Sequence, residues 1–130
     1  MERRTHLGID PSLSGHPVAL AEGSATVELT TTAVMAADAE GLVHGGFVFS
    51  AADYAAMLAV NDPNVVLAAA SMRFLAPVRV GEVVTLSAQV EGERGRKRSV
   101  AVEGRVGERA VVSGEFTAAV LDQHVLEMQS

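Results

Sequence analysis

Cysteine and tryptophan are absent from the chain, and aromatic residues make up only 4% of it. Without cysteine there is no disulfide framework, no thiolate zinc site and no thiol nucleophile. With so few aromatics, a core must be built from Ala, Val and Leu, and the 48% hydrophobic content supplies enough of them. Long uninterrupted apolar runs are also missing, and none has the length needed to cross a bilayer. Nor does an apolar stretch follow Met1-Glu2-Arg3-Arg4, so the N-terminus does not read as a secretory signal. These absences predict no membrane partner and, as the default compartment, a cytoplasmic one.

Positive charge is scarce, with 10 basic against 16 acidic residues and a formal charge of −6. Six of the ten basic residues (Arg94, Arg96, Lys97, Arg98, Arg105 and Arg109) fall within sixteen positions. A net-acidic chain with one basic patch does not fit a nucleic-acid binder. The patch suits a small anionic ligand, or simply a solvated hairpin face. The length of 130 residues predicts one domain, residues 1–130.

What is present is organised as strands around one helix. Residues 1–16 carry turn formers such as Asp10-Pro11 and Ser14-Gly15, and read as an irregular lead-in. A short strand near Val18–Leu20 and a turn at Ala21-Glu22-Gly23 precede Ser24–Thr30, where apolar and polar residues alternate as in a strand with one wet face. Residues 33–43 lack a period and read as a loop. From Phe47 to Val60 the sequence is Ala-rich, free of Gly and Pro, and apolar at helical spacings; Asn61-Asp62-Pro63 ends it. Val65–Leu75 is nearly continuous in apolar residues and predicts a deeply buried strand. Three more strands follow, over 84–90, 99–106 and 110–121, with Gly92, Gly95 and Gly107 between them. The order predicts an α+β arrangement of one helix against an antiparallel sheet. The helix is apolar on nearly every side, so it must be wrapped by the sheet, and a partner subunit could cover it further.

Three polar side chains interrupt that helix: Ser50, Asp53 and Tyr54. A carboxylate inside a buried helix costs several kcal/mol without a partner, or takes up a proton. Asp53 is therefore a candidate general base or nucleophile, or else bonded to a neighbouring loop. His44-Gly45-Gly46 opens the helix, where free N–H groups and the positive end of the helix dipole suit an oxyanion or phosphate. Glycine there admits close approach of a ligand. Asp53 lies nine residues after His44, about 13 Å of rise along one helix. Within one subunit the two are too far apart to bond. Two helices packed side by side in opposite directions would bring them together at a shared site. No Gly-x-Ser-x-Gly elbow is present, and the histidines show no metal-ligand spacing, so neither a serine triad nor a metal is expected.

The segment Asp38-Ala-Glu-Gly41-Leu-Val-His44-Gly45-Gly46-Phe47, followed by Ala51-Ala52-Asp53, resembles the signature of the PaaI-like thioesterases of the hotdog superfamily. Arg73-Phe74-Leu75-Ala76-Pro77-Val78-Arg79-Val80-Gly81 is similar to that family's strand exit, and the strand order fits from about residue 18 to 121. The resemblance implies a hotdog fold, an antiparallel sheet wrapped around one long central helix, and hydrolysis of an acyl-CoA to free acid and CoA. It implies that Asp53 activates water or attacks the thioester carbonyl. The Gly45 N–H would hold the oxyanion, with His44 beside it. Loss of such a donor commonly costs about 3 to 4 kcal/mol of barrier. It further implies a homodimer or tetramer and no cofactor beyond the coenzyme A of the substrate.

Two positions depart from the pattern. Asp38 stands where the family usually has an amide, and a carboxylate only accepts hydrogen bonds; it would pair with His44, share the base role or face solvent. Ala56 and Met57 stand where a positioning hydroxyl is common; Ser50, one turn before Asp53, could substitute, or it bonds its own backbone as such helix hydroxyls more often do. Gly46, Phe47, Tyr54 and Met57 are expected near the substrate, and Arg96, Lys97 and Arg98 near the phosphates of coenzyme A. The competing readings are a non-catalytic acyl-CoA binding or sensing module and a hotdog hydratase.

Overall fold

The computed structural model describes residues 1–128. Six strands form one antiparallel sheet in the order β1-β2-β4-β5-β6-β3. They are β1 (His16–Ala21), β2 (Ser24–Thr30), β3 (Val65–Phe74), β4 (Val83–Arg94), β5 (Lys97–Val106) and β6 (Arg109–Val120). The sheet packs around the helix α2 (Gly45–Val60), and all six strands touch it. This is the hotdog architecture.

The alternation in β2 places Ala25, Val27 and Leu29 against α2, joined from β4 by Val84 and Leu86 and from β5 by Val100 and Val102. α2 begins two residues earlier than expected. Gly45 and Gly46 have poor helix propensity, yet they occupy first-turn positions whose N–H groups need no intrahelical partner. Its end is where Asn61 takes the left-handed conformation (φ 54°) and donates its N–H to Met57 O at 2.8 Å.

Two expectations need correction. β3 is the sheet's edge, bonded only to β6; Val65 is buried, while Ala68–Ser71, Arg73 and Phe74 are exposed. A continuous apolar run reads as doubly buried, but here it leaves one edge uncovered. The lead-in is also more ordered than expected. It carries the short helix α1 (Pro11–Ser14) and docks on α2, with Thr5 and Ser14 buried.

Candidate active site

The loop before α2 is tied down on both sides. His44 N–H donates to Met35 O at 2.9 Å, and Val43 N–H to Val78 O at 2.9 Å. His44 then caps the helix through its backbone, and its side chain makes no capping bond. The ring instead lies back over the first turn. A Cβ on Gly46 would stand 3.0 Å from its Nε2, and Phe47 meets it edge-on with ring centroids 6.1 Å apart. The Gly45 and Gly46 N–H groups belong to the first turn and lack intrahelical acceptors.

Asp53 lies two turns further along, between the buried Ala52 and Tyr54. Its Oδ1 is buried and has no hydrogen-bond partner among the described residues. That desolvation pushes its pKa up from 3.8 to about 6. Eight residues of helix separate it from Gly45, about 12 Å of rise, so one chain alone does not bring the carboxylate to the glycine turn. The places one turn later hold Ala56 and Met57, both fully buried.

A cavity of about 370 Å³ opens beside Gly45. Leu42, Val48, Phe74, Leu75, Val78 and Val112 contribute to its wall, and no lining residue is charged or polar. Gly45 apart, its positions were not singled out as binding residues by sequence reasoning. The available signal was Phe74-Leu75, two large apolar residues at the strand exit, which stand 58% and 53% exposed.

The other candidates disperse. Asp38 does not bond His44. Its Oδ1 accepts from the Glu40 N–H at 2.9 Å and the Leu42 N–H at 3.2 Å, which closes the loop. It lies in a smaller hollow with Glu40, Leu42, Pro77 and Arg79. An acceptor is all that this turn requires, so a carboxylate serves in place of an amide. Tyr54 and Met57, expected near the substrate, are core side chains at 2% and 0% exposure and lie in the wall of neither hollow. Phe47 is partly buried against the core and likewise lies outside the cavity wall.

The basic hairpin is remote from the cavity in this chain. Lys97 pairs with Ala119 on β6, seven residues from Val112, and at ~3.3 Å per residue that is roughly 20 Å along the strand. Arg96 is paired with Asp122. Arg98 donates to the carbonyls of Gly95 and Lys97 and lies 3.5 Å from Glu93. Both guanidinium groups are thus engaged in holding the hairpin and its surroundings, and Lys97 is exposed. Among the described residues no cluster of His, Asp and Glu could hold a metal. No described helix is long and apolar enough to cross a membrane.

Residues 40–113 match the family described as Thioesterase superfamily. An uncharacterized protein from Pyrococcus horikoshii is 47% identical in its crystal structure, with 97% of each chain covered and a TM-score of 0.96. The PaaI protein from the phenylacetic acid degradation operon of E. coli is 27% identical, with 86% of this chain and 83% of that one covered and a TM-score of 0.78. A methylthioribose-1-phosphate isomerase of Aquifex aeolicus is 56% identical over 121 residues, 93% of this chain but 26% of that protein. The chain spans less than half the length of the curated relatives it matches.

Proposed function

The chain belongs to the thioesterase superfamily, and from that membership we propose that it hydrolyses an acyl-CoA to a carboxylic acid and free coenzyme A. The observation that carries this reading is Asp53: a carboxylate with an unpartnered buried oxygen, the one charged side chain of a helix that opens with two glycines. Folding alone gains nothing from such a group. A pKa near 6 suits a base that works at neutral pH.

In the proposed reaction Asp53 takes a proton from water as the water oxygen adds to the thioester carbonyl carbon. The Gly45 N–H, at the positive end of the α2 dipole, receives the oxyanion. The tetrahedral intermediate then collapses, the carbon–sulfur bond breaks, and the proton held by Asp53 passes to the leaving thiolate. Direct attack by Asp53 on the carbonyl is the alternative route, through an anhydride that water hydrolyses. The acyl chain would occupy the apolar cavity beside Gly45, whose wall carries no charged or polar side chain. Its lining favours a hydrocarbon or aryl acyl group over one that ends in a second carboxylate, which would be left there without a cation. Coenzyme A enters only as part of the substrate, and no further cofactor has a role.

The 12 Å between Gly45 and Asp53 within one chain calls for a second copy. The exposed apolar edge of β3 offers the means, since unpaired edge strands are templates for pairing. Two copies joined there would set their α2 helices side by side in opposite directions. Asp53 of one copy would then face the glycine turn of the other, in a dimer or a tetramer built from dimers.

A non-catalytic acyl-CoA binding module is the second reading, and the absence of a hydroxyl at Ala56 and Met57 favours it. Turnover of acyl-CoA thioesters that is lost in Asp53→Asn, with binding retained, supports the enzyme. Tight binding without turnover supports the module.

A further inference from the structure

The hollow that holds Asp38 adjoins the apolar cavity, and Leu42 and Pro77 stand in the wall of both. It is the smaller, about 190 Å³, and its lining residues Asp38, Glu40, Leu42, Pro77 and Arg79 are all exposed. The two together make a trough that is apolar at one end and open and charged at the other. Leu42 is bridged to Arg79, and no more than about 10 Å of chain separates Leu42 from Gly45.

The backbone of Arg79 is held from several directions. Its N–H donates to Glu82 Oε1 at 2.7 Å, and its carbonyl accepts from the hydroxyl of the buried Thr31 at 3.1 Å. On either side, Val78 O accepts from the Val43 N–H at 2.9 Å and the Val80 N–H donates to Gly41 O at 2.8 Å. The guanidinium, in contrast, makes no hydrogen bond or ion pair among the described residues. Glu82 is taken by Arg109, which also donates to Pro77 O at 3.3 Å. Asp38 spends its Oδ1 on the Glu40 and Leu42 N–H groups. Arg96, Arg98 and Arg105 are each paired with a carboxylate on or beside the hairpin. Arg79 is thus a cation on a fixed backbone, with its donors free, beside the proposed acyl site.

An acyl-CoA has the same two-ended character, with an apolar acyl group, a neutral pantetheine arm and a nucleotide that carries the phosphates. We propose that Arg79 binds a phosphate of coenzyme A, the role expected of Arg96, Lys97 and Arg98. With the acyl chain in the cavity and the thioester at Gly45, the pantetheine arm crosses the boundary at Leu42 and Pro77. There Asp38 and Glu40 are acceptors for its amide N–H groups. The phosphate lies on the Arg79 side, away from those carboxylates. A guanidinium offers paired N–H donors to a phosphate, and the fixed backbone limits what is lost in ordering it. The inference rests on the reading of the chain as one that acts on acyl-CoA.

The test compares octanoyl-CoA with octanoyl-pantetheine, which lacks every phosphate. Both are measured by calorimetry on wild type, Arg79→Ala, Arg79→Lys and Lys97→Ala, with KM for the same compounds alongside. Arg79→Ala is expected to weaken octanoyl-CoA about tenfold and to leave octanoyl-pantetheine unchanged. Arg79→Lys, which keeps the charge and loses the fork, should fall between Arg79→Ala and wild type. Lys97→Ala should match wild type for both compounds. The Tm of Arg79→Ala should be unaltered, because the side chain it removes makes no bond. An equal loss for the two compounds in Arg79→Ala, no loss for either, or a tenfold loss in Lys97→Ala as well, overturns the proposal. If Arg79→Ala selectively weakens octanoyl-CoA but the wild type hydrolyses no acyl-CoA, the phosphate site stands and the thioesterase reading fails.

Discussion

A Cβ placed on Gly45 would stand 3.0 Å from Cε1 of Phe74, so the first residue of α2 and the last of β3 touch across the mouth of the apolar cavity. Glycine at this point lets the ring pack close against the start of the helix. Gly45→Ala is expected to lower kcat/KM by roughly tenfold or more, because the ring must move and the donor geometry changes with it. The neighbour is an exposed side chain, so the fold should survive. Combining Gly45→Ala with Phe74→Ala removes the clash, and the double variant should be less impaired than the sum of the two singles. Strict additivity in steady-state kinetics would show that the two residues are not coupled.

Asp53 also links activity and stability to pH. Its folded pKa, about 6, lies above the ordinary 3.8. Folding therefore favours the protonated form. This contribution to stability is complete below about pH 4 and is lost as pH rises through about 6. Asp53→Asn should stabilise the protein at pH 8 by about 1–2 kcal/mol, a figure reduced for the group's partial access to solvent. At pH 3.5 it should give no such gain. Thermal melts at the two pH values read the difference. The kcat/KM of the wild type should fall on the acid side with a midpoint near 6.

Gly104 on β5 is a packing position, next to a side chain of the cavity wall. A Cβ there would stand 2.5 Å from Val112 Cγ2 and 2.8 Å from Leu86 Cδ1, two side chains with almost no exposure. Gly104→Ala should destabilise the fold by about 1–3 kcal/mol, the usual range for an overfilled core. Chemical denaturation followed by circular dichroism checks this.

In the basic hairpin Arg98 is bonded to the hairpin's own backbone and lies near Glu93. Arg98→Ala is expected to lower the Tm slightly while leaving KM for an acyl-CoA within about twofold, because these exposed contacts are each worth about 1 kcal/mol or less. A tenfold rise in KM with an unchanged Tm would assign Arg98 to the substrate instead.

A charge on the β3 edge tests the shared site. Ala70 is exposed in the middle of β3 and pairs on its other side with Phe116. Ala70→Lys should weaken edge-to-edge association and shift the sedimentation profile toward monomer. Turnover should fall in step with the dimer fraction.

The fold was legible because its signals are local. Alternation in Ser24–Thr30, the Ala-rich run after His44-Gly45-Gly46 and the turn glycines each mark an element without reference to the rest of the chain. Asp53 stood out for the same reason, as a lone charge in an apolar helix. The walls of the site were harder to read. α2 is apolar nearly all round, so its periodicity carries no phase, and nothing local distinguishes Tyr54 and Met57 in the core from Val48 at the cavity. The docking of Ser14 on Ser50 is a contact across 36 residues, and the remoteness of Lys97 depends on sheet register. Composition and spacing do not encode either.

The most direct measurement is CoA release from short, medium, long and aryl acyl-CoAs, with Asp53→Asn run beside the wild type and binding of the same compounds measured by calorimetry. The expected result is turnover of one or more apolar acyl-CoAs, with kcat reduced by at least about a hundredfold in Asp53→Asn and affinity little changed. Equal turnover by Asp53→Asn and wild type, or tight binding of every acyl-CoA with no CoA released from any, would contradict it.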